Sequence, residues 1–294
     1  MRKLDIDISP AIGKLEILSD VIVNTRLFGR YKSTFKGRGL EFDSYRTYMP
    51  TDDASLIDWK ASKRTKNLLV KQFVEERNLN VFFLVDVSDS MLFGSVDKLK
   101  NEYTAELVIS LSYAVLQAKD NVGFALFSDT IKEKSLPDSS PYRFYSITQK
   151  LINPAVYGGA FNLVGALEFM MTYLSPGSLI ILVSDFIGMS GDIERTLKML
   201  AKKFDVIAVM IRDPRDSKLP QKGKYVIKDV SSERQLVIDS KKIWKEYEHY
   251  ASIQESSIRS LFLEAGFDFL KLDTNKSFIN PILEFFTVRN KRWR

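Results

Sequence analysis

The sequence predicts a doubly wound α/β fold built on a mostly parallel sheet, and three observations carry that prediction. Short apolar runs at 81–87, 122–127, 179–184 and 206–211 have strand length and no polar alternation, which marks strands buried on both faces. Helical patterns at 97–118, 142–151, 163–174 and 192–203 lie between them, and strands alternating with helices give parallel βαβ units. No stretch reaches the roughly 20 apolar residues that span a bilayer.

The elements follow in order. Ile12, Leu15, Ile17, Leu18, Val21 and Val23 fall mostly at helical spacing and predict an amphipathic helix over 11–27. The Gly-, aromatic- and charge-rich stretch 28–59 suits neither regular period. Leu68, Val70, Phe73 and Val74 suggest a strand over 68–77. Past the fourth buried strand and Asp213-Pro214-Arg215, strands at 225–229 and 235–239 form an inserted hairpin. A long helix over 240–265, a strand at 267–272 and a last helix at 277–289 complete the pattern. The reading divides the chain into an irregular, β-containing N-terminal extension over 1–78 and an α/β domain over 79–294, with the hairpin near 224–239.

Composition narrows the chemistry. There is no cysteine and a single histidine, His249, so thiol nucleophiles, zinc–thiolate sites and multi-histidine metal sites are excluded. Any metal must be a hard ion held by oxygen. Acidic residues Asp5, Asp7 and Glu16 interrupt what would be the apolar core of a signal peptide, so the expected location is cytoplasmic. Lysine and arginine exceed aspartate and glutamate by 43 − 37 = 6, and the segment 26–71 holds 11 basic against 5 acidic residues. A solvated basic face is the plainer reading of that segment. An anionic partner is the sharper one.

In doubly wound sheets ligands collect at the carboxyl ends of the strands. The first buried strand runs into Asp86-Val87-Ser88-Asp89-Ser90, and the strand at 179–184 delivers Asp185 to the same edge. Two carboxylates and two hydroxyls suit Mg²⁺ or Mn²⁺. The plain alternative, that these residues cap the next helix, is weakened because Ser95 or Asp97 can cap a helix starting near 97. Ile57-Asp58-Trp59 reads as a packing motif, with Trp59 buried and Asp58 paired to a lysine or arginine.

Asp-x-Ser-x-Ser after one strand and an Asp after a later one resemble the metal-ion-dependent adhesion site of von Willebrand factor A domains. Arg38-Gly39-Leu40-Glu41-Phe42-Asp43-Ser44-Tyr45-Arg46, Pro50-Thr51-Asp52-Asp53, Ile57-Asp58-Trp59-Lys60-Ala61-Ser62, Phe73-Val74-Glu75-Glu76-Arg77 and Asp213-Pro214-Arg215 with Leu219-Pro220 resemble the "domain of unknown function 58" family. That resemblance implies a metal held by Asp86, Ser88, Ser90 and Asp185, with Asn162 as a weaker ligand. It also implies a partner surface at Asp89, Gly159 and Phe161, and a protein partner that offers an acidic side chain. The same likeness implies a MoxR-type AAA+ ATPase, or its client, as that partner. Gly158-Gly159-Ala160-Phe161-Asn162 departs from the expected Gly-Gly-Thr-Asp/Asn, with Phe161 where the metal-binding Thr would be.

Three functions result. The leading one is a non-enzymatic, metal-dependent adaptor. The second is a Mg²⁺- or Mn²⁺-dependent phosphoryl or phosphodiester hydrolase using Asp86, Asp185, Asp213 and Asp216. The third is a nucleic-acid binder through 26–71, where Tyr31, Phe35, Tyr45 and Tyr48 interleave with basic residues; nucleic acid is the disfavoured partner. The chain lacks a Gly-x-x-x-x-Gly-Lys-[Ser/Thr] loop, so nucleotide hydrolysis of the P-loop kind is not expected.

Overall fold

The computed structural model describes residues 41–50, 52–65, 67–74, 78–189, 193–228 and 235–292. The helix expected over 11–27 and the start of the basic segment, with Tyr31 and Phe35, lie outside them. The described residues fall into two compact units, one ending at Asn78 and the other running from Leu79 to Arg292.

In the smaller unit, strands β1 (Glu41–Thr47) and β2 (Leu69–Val74) pair antiparallel, with Tyr45 opposite Lys71. The stretch read as irregular therefore contains a strand. Its register slips between Phe42 and Ser44, and such a bulge breaks the two-residue alternation by which strands are recognised. Between the strands, helix α1 (Trp59–Thr65) was also unanticipated. Asp58 caps it, Oδ1 accepting from the Lys60 and Ala61 N–H groups at 3.0 and 3.1 Å. Its Oδ2 accepts from Tyr45 Oη at 2.9 Å and pairs with Lys71 Nζ at 3.2 Å, so the expected basic partner is there. Trp59, expected to be buried, is 68% exposed. The cap turns Ser62 inward instead: its Oγ donates to Asp58 O and accepts from Leu69 N.

The larger unit holds a six-stranded sheet. Its strands are β3 (Asn80–Asp86), β4 (Asn121–Phe127), β5 (Ile131–Asp138), β6 (Leu179–Ser184), β7 (Asp205–Arg212) and, beyond the hairpin, β10 (Asp268–Asp273). They lie in the order β10-β7-β6-β3-β4-β5, and every pairing except β4–β5 is parallel. β5 was missed because it is an edge strand, half-buried and exposed positions alternating along IKEKSLPD. Lysine and proline on such an edge discourage pairing with another chain.

The helices are α2 (Lys100–Gln117), α3 (Tyr142–Leu151), α4 (Leu163–Tyr173), α5 (Glu194–Lys203), the one-turn α6 (Pro214–Ser217), α7 (Ser240–Glu264) and α8 (Ile279–Arg292). Strands β8 (Lys224–Lys228) and β9 (Gln235–Asp239) form the separate hairpin. Phe82 and Leu84 of β3, Ile180 and Leu182 of β6 and Ala208 and Met210 of β7 pack with Leu167, Leu197 and Phe262 of α4, α5 and α7 in one core. The alternate residues Val81, Phe83 and Val85 are equally buried, so both sheet faces are covered, as the unbroken apolar runs required. Among the described residues no helix is long and apolar enough to cross a membrane.

Helix α2 begins later than expected, and neither Ser95 nor Asp97 caps it. Leu99 is the N-cap, and Glu102 reaches back to its N–H at 2.9 Å. Ser95 bonds Asp213 instead, and no side chain of the loop carrying Asp86, Ser88 and Ser90 caps α2.

Candidate metal centre

From β3 the chain moves outward to β4 and β5, then returns across to β6 on the other side of β3. That reversal falls at the carboxyl ends of β3 and β6, the switch point at which open α/β sheets form a ligand crevice. Val85 stands opposite Val183, so the next residues, Asp86 and Ser184, come level at the rim.

Asp86 is fully buried. Its Oδ1 accepts from Ser88 N at 2.8 Å and its Oδ2 from Ser184 Oγ at 2.6 Å. Burial, and then the nearby Asp185 carboxylate, push the Asp86 carboxyl up to about 7, because a charge in a low-dielectric setting is disfavoured. Ser88 Oγ lies 3.2 Å from Ser90 Oγ, and Ser90 Oγ donates to Asp185 Oδ1 at 3.1 Å. Asp185 Oδ1 also accepts from Ile187 N at 2.8 Å. The backbone that makes this turn is strained: Phe186 has φ 54°, uncommon for a residue with a side chain. The strain is held by burial of its ring against Phe262, with centroids 4.8 Å apart.

These spacings test whether the side chains fit an ion. Neighbouring corners of an octahedron with bonds of 2.0–2.1 Å lie about 3 Å apart. Ser88 Oγ, Ser90 Oγ and Asp185 Oδ1 follow one another at that spacing, with Asp86 buried behind them, so the donor set fits part of a hard-cation shell. The Gly158-Gly159 side carries Asn162 and Phe161. Asn162 Oδ1 caps α4, accepting from Gly165 N at 3.1 Å, while its Nδ2 donates to Asp129 O. Phe161 packs toward the core, its ring 6.0 Å from that of Phe127. Gly158 and Gly159 both have positive φ. Gly158 N donates to Val87 O, and Asp89 N donates to Gly159 O, so this turn and the Asp86 loop are stitched together. Asp89 and Asp129 flank it.

Lys100 was not foreseen. It opens α2, is 1% exposed, and its Nζ donates to Asp185 Oδ2 at 2.6 Å and Asp216 Oδ2 at 3.1 Å. The ring of Phe93 lies 5.6 Å from the same ammonium. Asp213, cast as a strand-end carboxylate, has both oxygens engaged: Ser95 Oγ and N donate to it at 2.5 and 2.7 Å, and Arg215 N at 2.8 Å. Asp86, Asp185, Asp213 and Asp216 therefore do not share one point, as a hydrolase built on all four would need. Among the described residues no three His, Asp or Glu side chains form a metal-binding group. His249 lies on α7 beside Tyr250.

An uncharacterized protein of Mycobacterium tuberculosis strain H37Rv is 24% identical over 299 residues, covering 99% of this chain and 93% of the relative. The uncharacterized protein YeaD of Bacillus subtilis is 31% identical over 93 residues, 32% of this chain and 21% of the relative. Among solved structures, an aerotolerance-related membrane protein from Bacteroides fragilis matches with TM-score 0.49 and 16% identity, over 73% of this chain and all of the other. A von Willebrand factor type A protein from Catenulispora acidiphila matches with TM-score 0.41 and 10% identity, over 76% of this chain and 44% of the other. The family described as "Protein of unknown function DUF58" matches residues 44–257, and the chain belongs to it.

Proposed function

We propose that this protein is a non-enzymatic adaptor that engages an acidic side chain of a protein partner at the crevice beyond β3 and β6. The observation that carries the reading is the run of Ser88 Oγ, Ser90 Oγ and Asp185 Oδ1 at 3.2 and 3.1 Å, donors from two strand ends meeting at the switch point. Mg²⁺ or Mn²⁺ held by Asp86, Ser88, Ser90 and Asp185 would supply the positive charge an incoming carboxylate needs. Asp86 and Ser184 fix the rear of the crevice, and the Gly158-Gly159 turn holds Asp89 on its rim. Asp89 would repel an acidic partner in the absence of a cation, which makes the interaction conditional. A MoxR-type AAA+ ATPase, or a client of one, is the partner this reading names, on family resemblance alone.

The test is titration of such an ATPase with wild type and with Ser90→Ala, in Mg²⁺ and in EDTA, by calorimetry. Ser90 is half-buried, and the substitution removes only the bonds of its hydroxyl while its carbonyl still accepts from Phe93 N, so the variant should fold. The expected result is binding in Mg²⁺ that EDTA abolishes and Ser90→Ala weakens about tenfold or more. Binding that survives both changes would remove the crevice from the account.

A further inference from the structure

Lys100 is the one buried cation bonded to the proposed centre among the described residues, and it is attached to the same carboxylate that an ion would use. Its ammonium bridges the ends of two strands, Asp185 after β6 and Asp216 after β7. Its backbone N–H donates to the carbonyl of Phe93, in the segment after β3, at 2.9 Å. Asp216 Oδ2 also accepts from Asp213 N at 2.9 Å. A lysine is almost never fully buried unless paired, and here Asp185 and Asp216 pair it, so Asp185 has a cationic partner with no ion present.

We propose that Lys100 is the centre's tethered cation: it holds Asp185 and Asp216 in the metal-free state and keeps metal affinity low, so that an ion is retained only together with an acidic ligand. This rests on the metal reading above. An ion touching Asp185 Oδ1 would lie within a few ångströms of an ammonium on Asp185 Oδ2, and two cations at such distance repel strongly in a partly buried site. A carboxylate from a partner offsets that repulsion. The result is linkage between metal and partner, each strengthening the other's binding.

The experiment measures Mn²⁺ affinity, from the electron paramagnetic resonance signal of free Mn²⁺, for the full chain as wild type and as Lys100→Met. The same variants are melted in EDTA and in Mn²⁺. Removing the competing charge should tighten Mn²⁺ binding about tenfold or more, and the variant's melting temperature should fall in EDTA and recover in Mn²⁺. A merely structural lysine would lower the melting temperature without tightening the metal. Equal Mn²⁺ affinities overturn the tethered cation while the metal reading stands. No binding by either protein at about 10 mM, beyond the weakest range for useful sites, overturns both. Should Lys100→Met fail to fold, wild type still decides the matter. The lysine ammonium ¹⁵N resonance of Lys100 must shift when Mg²⁺ together with acetate saturates the centre, and an unmoved resonance at saturation overturns the proposal.

Discussion

Ser184 donates its hydroxyl hydrogen to Asp86 Oδ2 at 2.6 Å, joining the last residues of adjacent strands β3 and β6. Ser184 Oγ in turn accepts from Phe186 N at 2.9 Å, so one hydroxyl holds both a buried carboxylate and the strained turn after Asp185.

Ser184→Ala should therefore cost more than an ordinary serine deletion. It leaves an oxygen of buried Asp86 and the N–H of Phe186 without their partner. Bonds to charged groups contribute about 1.5–3 kcal/mol, and stranded buried donors add to the loss. Urea unfolding at pH 7.5 should show a loss in that range, and a change below about 0.5 kcal/mol, the size of a neutral surface substitution, would contradict the seam.

Asp86 also makes stability depend on pH. Its folded pKa of about 7 lies above the roughly 3.9 of an unfolded aspartate. A carboxyl raised in this way contributes stability that is full below about pH 4 and is lost as pH rises through about 7. A gap of about three in pKa corresponds to about 4 kcal/mol. In EDTA, Asp86→Asn, which cannot ionise, should gain on wild type between pH 5 and pH 8. Parallel melting curves across that interval would show that Asp86 does not titrate there.

Asp86 and Asp185 were legible in the sequence because each ends an apolar run, and such runs place the next residue at the sheet's edge. Lys100 was not, because α2 gives no amphipathic stripe from which to judge direction. Lys100, Asn101, Glu102, Tyr103 and Thr104 are consecutive and all buried, so a residue's polarity says nothing about where it points. Buried strands β3, β4, β6 and β7 were readable for the same reason that β1 and β5 were not. An unbroken apolar run survives any register, whereas a bulge in β1 and the charged, half-exposed face of β5 erase the alternation that would reveal them. Asp213 was visible as a strand-end acid, but its role came from Ser95, 118 residues earlier in the chain, a separation no local pattern spans.

Asp213→Ala should loosen that long-range tie. The substitution removes the acceptor for Ser95 N, Ser95 Oγ and Arg215 N, the last being the cap of α6. Loss of a cap costs about 0.5–2 kcal/mol, and buried donors left alone add about 1–3 kcal/mol. Amide exchange should accelerate at Ser95 and Arg215, with little change at Val81 in the core of β3. Exchange that accelerates equally everywhere would mean global destabilisation and no specific fastening.

The turn at Gly158 and Gly159 offers a paired comparison. Both residues have positive φ, +119° and +100°, so alanine strains the backbone at either position by about 1–2 kcal/mol. Space distinguishes them. A Cβ at 158 would lie 3.4 Å from Asp89 Oδ1, an ordinary contact. A Cβ at 159 would lie 2.9 Å from Asp129 Oδ1 and 3.0 Å from Ser128 Oγ, and Asp129 is held there by Lys132 at 2.7 Å and by the Ser128 hydroxyl. Gly159→Ala must displace that carboxylate or shift the carbonyl that receives Asp89 N. It should therefore lose about 1 kcal/mol more than Gly158→Ala, in the range that overpacking costs. Equal losses in urea unfolding would show that backbone strain alone governs the turn.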